Sequence, residues 1–168
     1  TTLLTAIGLQ AAPSFTNVKL TVSGMTVTMS NGKTTIKIGS NGRASSMKWG
    51  SRELLDGSNG IYFGYTTAQG NKALSPTELK IIKQTDEMCE VLYSATSGNT
   101  IFEQGYIMRK NVAGLYTYVI ATGTATSASE PIKEARVCSR LASTMLQGYV
   151  DWRMNGTIPS NEAMSVAE

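Results

Sequence analysis

From Asn17 onward, apolar and polar residues take turns along the chain. Val18, Leu20 and Val22 fall on one side of an extended backbone, with Asn17, Lys19 and Thr21 on the other. This is the period-two pattern of a half-buried strand. Met25, Val27 and Met29 repeat it, and Ile36 and Ile38 repeat it after Ser30-Asn31-Gly32-Lys33. Asn-Gly is the strongest short hairpin signal, because both central positions of a type I′ turn need positive φ. A second pair, Asn41-Gly42, leads into the run over 43–49, and a third, Asn59-Gly60, into that over 61–67.

Residues 68–76 read as a loop from their Gly, Asn, Ser and Pro content. Strand-like runs then cover 78–85, 88–96 and 100–110, broken by Asp86-Glu87 and Ser97-Gly98-Asn99. Two more, at 114–121 and 134–141, flank a small-residue loop. Periodicity fades after Trp152, as in a strand running out into a loop. No segment carries a helical period. Short strands with turn signals about every 8–12 residues predict an all-β fold, an antiparallel β-sandwich or barrel. The strands are many for one small sheet and no closing signal stands at Glu168, so the pattern suggests a sandwich truncated at that point.

The length of 168 residues suits one domain, assigned to 13–168. Residues 1–12 are apolar, rich in small side chains and without an initiating Met. They read either as the remnant of a secretory signal peptide or as a first strand. The first reading implies an extracellular protein, and Asn155-Gly156-Thr157 is a sequon compatible with it. No run is long enough for a transmembrane helix. Net charge is +3, with Lys and Arg spread along the chain, which lacks the clustered basic footprint of a nucleic-acid binder. Histidine is absent, which removes His-based metal sites and every Ser-His or Cys-His nucleophile. Cys89 and Cys138 form no CxxC motif; they are either a disulfide of a secreted protein or two buried thiols.

Chemistry concentrates in two stretches. Tyr116 and Tyr118 share one strand face, either as packing aromatics or as the lining of a sugar cleft. Arg136, Cys138 and Arg140 share a face opposite Ala135, Val137, Ser139 and Leu141. Two arginines on one sheet face do not lie unpaired in a dry core. They point to solvent beside carboxylates, or to an open face where a guanidinium holds a carboxylate by two parallel hydrogen bonds. Asp151-Trp152-Arg153 is either a site rim or a strand end. The Ser-Asn-Gly-Lys and Ser-Asn-Gly-Arg turns lack Walker spacing and read as hairpins.

Taken in order, the runs Gly114-Leu115-Tyr116-Thr117-Tyr118-Val119-Ile120-Ala121, Lys133-Glu134-Ala135-Arg136-Val137-Cys138 and Tyr149-Val150-Asp151-Trp152-Arg153-Met154 resemble the rhamnogalacturonan lyases of polysaccharide lyase family 4. Those enzymes show a Tyr-Thr-Tyr-Ala-Ile stretch, a Gly-Glu-Ser/Thr-Arg motif and a strand leading to Asp-Trp and a late Met. The opening over 26–63 is similar to theirs too, and the likeness spans 18–165. It implies a β-supersandwich of the galactose-mutarotase type and β-elimination on rhamnogalacturonan I, an acidic pectin polysaccharide. A base takes the C5 proton of galacturonate, and the bond from rhamnose to galacturonate breaks to leave an unsaturated uronate. The resemblance assigns substrate binding to Arg136, with Arg140 as a further candidate. Lys133-Glu134-Ala135 departs from the motif, keeping Glu134 but not the preceding Gly. The family's catalytic Lys and His are expected beyond Glu168, so the resemblance implies no catalytic residue, metal or cofactor in this chain. It implies a longer polypeptide, inactive as this piece alone. A non-catalytic carbohydrate-binding sandwich and a structural cell-surface β-domain are the other readings the residues allow.

Overall fold

The protein is described by a computed structural model over residues 14–124 and 131–142, with two further strands at 147–151 and 154–157 whose backbone alone is described. Residues 1–12, assigned above to a signal remnant or first strand, lie outside the described residues. So do Trp152 and Arg153, while Asp151 ends a strand.

The fold is all-β, as the alternation predicts, and the described residues contain no helix. One sheet carries β1 (Lys19–Ser23), β2 (Thr26–Ser30), β3 (Thr34–Ile38), β4 (Ala44–Trp49), β5 (Arg52–Glu53), β6 (Ile61–Thr67) and β7 (Gly70–Ala73). A later strand, β12 (Glu134–Ser139), completes it. Its order is β1-β2-β3-β4-β6-β12, with β5 on β4 and β7 on β6. The second sheet contains β8 (Glu78–Gln84), β9 (Met88–Ser97), β10 (Thr100–Arg109) and β11 (Tyr116–Gly123), in the order β11-β10-β9-β8. A separate hairpin joins β13 (Gln147–Asp151) to β14 (Met154–Thr157). All pairings are antiparallel.

The apolar faces of the two large sheets meet in one core. Val27, Met29, Ile36 and Ile38 come from one sheet, and Val91, Tyr93, Phe102 and Tyr106 from the other. Phe102 stacks on Tyr65 at 4.4 Å and meets Phe63 at 5.4 Å, so β6 lies over β10. Each such buried ring contributes roughly 1.5–3 kcal/mol by leaving water. Phenol hydroxyls cross the gap: Tyr93 donates to Met25 O (2.8 Å) and Tyr106 to Gly42 O (2.7 Å). A buried polar residue ties the rim. Asn31 Nδ2 donates to Arg109 O (2.9 Å) and Val112 O (2.8 Å) in the other sheet's β10–β11 connection.

That role of Asn31 corrects the turn expected from the sequence. At all three Asn-Gly pairs only the glycine has positive φ, and Asn111 is the one described non-glycine that does. None is therefore a type I′ turn. Two of the asparagine side chains bond the backbone instead: Asn31 Oδ1 accepts from Thr34 N (2.8 Å), and Asn41 Oδ1 from Arg43 N (3.1 Å). Such local bonds hold a turn without left-handed asparagine. Two more expectations change. The supposed loop at 68–76 contains β7, and the chain after Trp152 resumes as β14. Cys89 is buried in the core and Cys138 half-buried on the outer side of β12; both are free thiols.

Candidate functional site

The outer face of β6 and β12 carries the candidate residues. In β6, Ile61, Phe63 and Tyr65 face the core, so Tyr62, Gly64 and Thr66 face outward. Residues paired across strands share a face. Arg136 pairs with Gly64, Cys138 with Tyr62 and Glu134 with Thr66. Arg136 therefore lies on the outward face with Cys138, as the alternation predicts.

Around it stands a short polar row. Arg136 makes a 2.7 Å ion pair with Glu134 Oε1, in which the arginine side chain is 29% exposed. Thr66 Oγ1 lies 3.3 Å from Glu134 Oε2 and donates to Asn71 Oδ1 at 2.7 Å. Towards the other end, the Arg43 guanidinium sits over the Tyr62 ring, 4.8 Å from its centroid. A Cβ at position 64 would lie 3.6 Å from that ring, in ordinary van der Waals contact.

Arg140 follows β12 with its backbone in register: its N–H donates to Gly60 O (2.8 Å) and its carbonyl accepts from Asp56 N (3.0 Å). Its partner loop is rigidly specified. Asp56 Oδ1 accepts from the N–H groups of Ser58, Asn59 and Gly60. Burial raises the pKa of that carboxyl, but the hydrogen bonds from Gly60, Asn59 and Ser58 outweigh it and hold the group below its ordinary value. Gly60 admits no side chain, because a Cβ would stand 1.9 Å from Ala44 O at a φ of +59°. Glu53 behaves alike: desolvation raises it, yet bonds from Ser46, Met47, Leu55 and Leu54 leave it lowered.

Tyr116 and Tyr118 are not part of this row. They pair with Ile107 and Gly105 on the outer face of the other sheet, so the sandwich separates the tyrosines from the arginines. Tyr118 instead covers Gly105 and donates to Glu90 Oε1 at 2.6 Å. Burial, that hydrogen bond and the charges of Glu90 and Glu103 push its pKa up to about 12. Burial likewise pushes Cys89 up to about 11, and moves Tyr93 and Tyr106 upward. Every one of these shifts fixes its group in one protonation state near neutrality. Among the described residues no group of three or more Cys, Asp or Glu side chains is placed to hold a metal.

Arg43 and Tyr62 were not singled out from the sequence. The alternation within 61–67 already puts Tyr62, Gly64 and Thr66 on one side; what it lacks is which strand lies beside them. The opposite face of β12 is unlike the rest of the core side. Val137 is 41% exposed, although its partner Phe63 is 2% exposed.

The chain is 30% identical to the rhamnogalacturonate lyase of Dickeya dadantii (strain 3937), over 168 aligned residues that take in 94% of the chain. No family model matches the chain. The chain spans 29% of that lyase's length, so the two are distantly related over one segment.

Proposed function

We propose that the outer face around Arg136 holds a uronate carboxylate of an acidic polysaccharide, rhamnogalacturonan I, and that the chain serves a rhamnogalacturonan lyase as its binding sheet. The observation that carries this reading is the 30% identity to a rhamnogalacturonate lyase along 94% of the chain. Side-chain chemistry supports it. A guanidinium presents five N–H donors in one plane, a fork that matches a carboxylate, and the 2.7 Å contact with Glu134 orients that plane. Arg43 stacked on Tyr62 offers a second cation with an aromatic edge beside it. Arg140, just past the end of β12, carries a third.

In elimination, the C5 proton of galacturonate leaves to a base. The electron pair of that C–H bond forms the C4–C5 double bond, and the rhamnose oxygen departs from C4 with a proton. Negative charge builds on the carboxylate as the proton leaves, and a cation held there stabilises it. Arg136 supplies that stabilisation but is protonated throughout, so it acts as neither the base nor the acid of the step. A pectin substrate is met outside the cell, which suits secretion.

The test is binding of the 168-residue chain to rhamnogalacturonan I, followed by calorimetry or affinity electrophoresis. Arg136→Ala is expected to weaken binding by about 1.5–3 kcal/mol, the worth of a charge-assisted contact. Arg136→Lys recovers only part of it, lacking the planar fork. Unchanged affinity in a folded Arg136→Ala protein rejects the assignment.

A further inference from the structure

A second polar concavity lies on the other side of β6 from Arg136. Thr66 and Asn71 pair on the outward face, whereas their neighbours Tyr65 and Lys72 pair on the inward one. Here the sandwich ends, and two hairpin tips converge on it. One is the β6–β7 turn, where Thr67 pairs with Gly70. The other is the β9–β10 turn, where Ser97 pairs with Thr100 around Gly98, whose φ of +57° at the first central position marks a type II′ turn. Ile132, on the approach to β12, closes a third side.

The lining has a definite chemical character. The stacked rings of Tyr65 and Phe102 form the floor. Hydroxyls of Thr67, Ser97 and Thr100 and the amides of Gln69 and Asn99 stand at the rim. Lys72 is the single formal charge, and no Asp or Glu is among the described residues lining the cavity. Its ammonium is held in place at 3.0 Å from Gln69 Oε1. An apolar floor with a few convergent polar groups is the usual make-up of a small-ligand site. One cation with no counter-charge among the described residues favours a monoanion, and a group of hydroxyls and amides favours a polyol.

We infer that this end cavity binds a single carboxylate-bearing sugar unit, with the carboxylate on Lys72, the ring over the edges of Tyr65 and Phe102, and the hydroxyls on the rim. A phosphate monoester, dianionic near neutrality, matches one lysine less well than a uronate does. The site stands apart from the Arg136 face, being on the opposite side of the same sheet, so either can fail without the other.

The experiment is a titration of the ¹⁵N-labelled 168-residue chain with galacturonate, galactose and galactose 1-phosphate, followed by amide shifts. Galacturonate is expected to move the amides of Gln69, Lys72, Gly98 and Asn99 in a saturable way, with galactose much weaker. Lys72→Met should weaken galacturonate at least about tenfold, as loss of a charge-assisted hydrogen bond does. Lys80→Met, on the outer face of the other sheet, should leave it unchanged. If Lys72→Met alters the fold, Thr100→Val, which keeps shape and removes a rim hydroxyl, must weaken binding instead. Equal binding of galacturonate and galactose, tighter binding of the phosphate ester, or shifts elsewhere or nowhere would each overturn the inference.

Discussion

Replacing Asn31 by alanine attacks the joint between the two sheets. The side chain is fully buried and makes four hydrogen bonds. Its Oδ1 accepts from Thr34 N at 2.8 Å and Lys33 N at 3.2 Å, and its Nδ2 donates to Arg109 O at 2.9 Å and Val112 O at 2.8 Å. Each bond contributes about 0.5–1.5 kcal/mol net, and a buried partner left unsatisfied costs about 1–3 kcal/mol. With some of these groups regaining water, the expected loss is about 3–5 kcal/mol, a large share of the roughly 5–15 kcal/mol of a whole domain. Urea unfolding followed by tyrosine and tryptophan fluorescence measures it, provided the slope against urea is unchanged. Asn31→Asp sharpens the test, because it places an acceptor against the carbonyls of Arg109 and Val112. The buried carboxyl is then favoured in its neutral form, so its folded pKa rises above the ordinary value of about 3.9. The contribution of that carboxyl to stability is greatest below about pH 3.9 and falls as pH rises from there towards the folded pKa. At neutral pH it should be less stable than Asn31→Ala. A loss under about 1 kcal/mol for Asn31→Ala would refute the view that this side chain joins the sheets.

Glu90→Gln removes a charge and weakens the acceptor of Tyr118, whose pKa stands at about 12. The Tyr118 midpoint should fall but stay above its ordinary value because burial persists, read as the ultraviolet difference from Tyr118→Phe. Gly60→Ala forces a Cβ to 1.9 Å from Ala44 O at positive φ, so the chain should fail to fold or lose more than about 3 kcal/mol by urea unfolding. Asp56 and Glu53 have lowered pKa values, so the stability they contribute is present above their unfolded pKa values and is lost as pH falls through the folded ones. A double Asp56→Asn, Glu53→Gln variant should show a flatter acid-unfolding curve by circular dichroism.

Strand positions were legible because the core faces alternate: Val27 and Met29, or Ile36 and Ile38, are fully buried. β7 escaped notice because Gly70-Asn71-Lys72-Ala73 has the composition of a loop and is a strand only through pairing with β6. The turn residues were placed correctly, but the turn type was not. Asn31 is shaped by carbonyls of Arg109 and Val112, far along the chain, which no local rule sees. The face of Arg136 followed from alternation. Its separation from Tyr116 and Tyr118 did not, since adjacency in sequence says nothing of which sheet each strand joins. The cavity at the sandwich end is still less legible, being assembled from the tips of two hairpins.

β12 ends its sheet among the described residues: one side pairs with β6, and the core-facing Val137 is 41% exposed. The arginine proposed to grip a carboxylate thus rides on an edge strand of the platform, held to it from one side only. Holding the ligand and holding the strand become one equilibrium, in which each bound carboxylate also fastens β12 and each fraying event releases it. Anything that covers Val137 from the core side would then tighten sugar binding on the far face without touching the sugar. Protection of the β12 amides from hydrogen exchange is the quantity in which that exchange between packing and recognition would be seen.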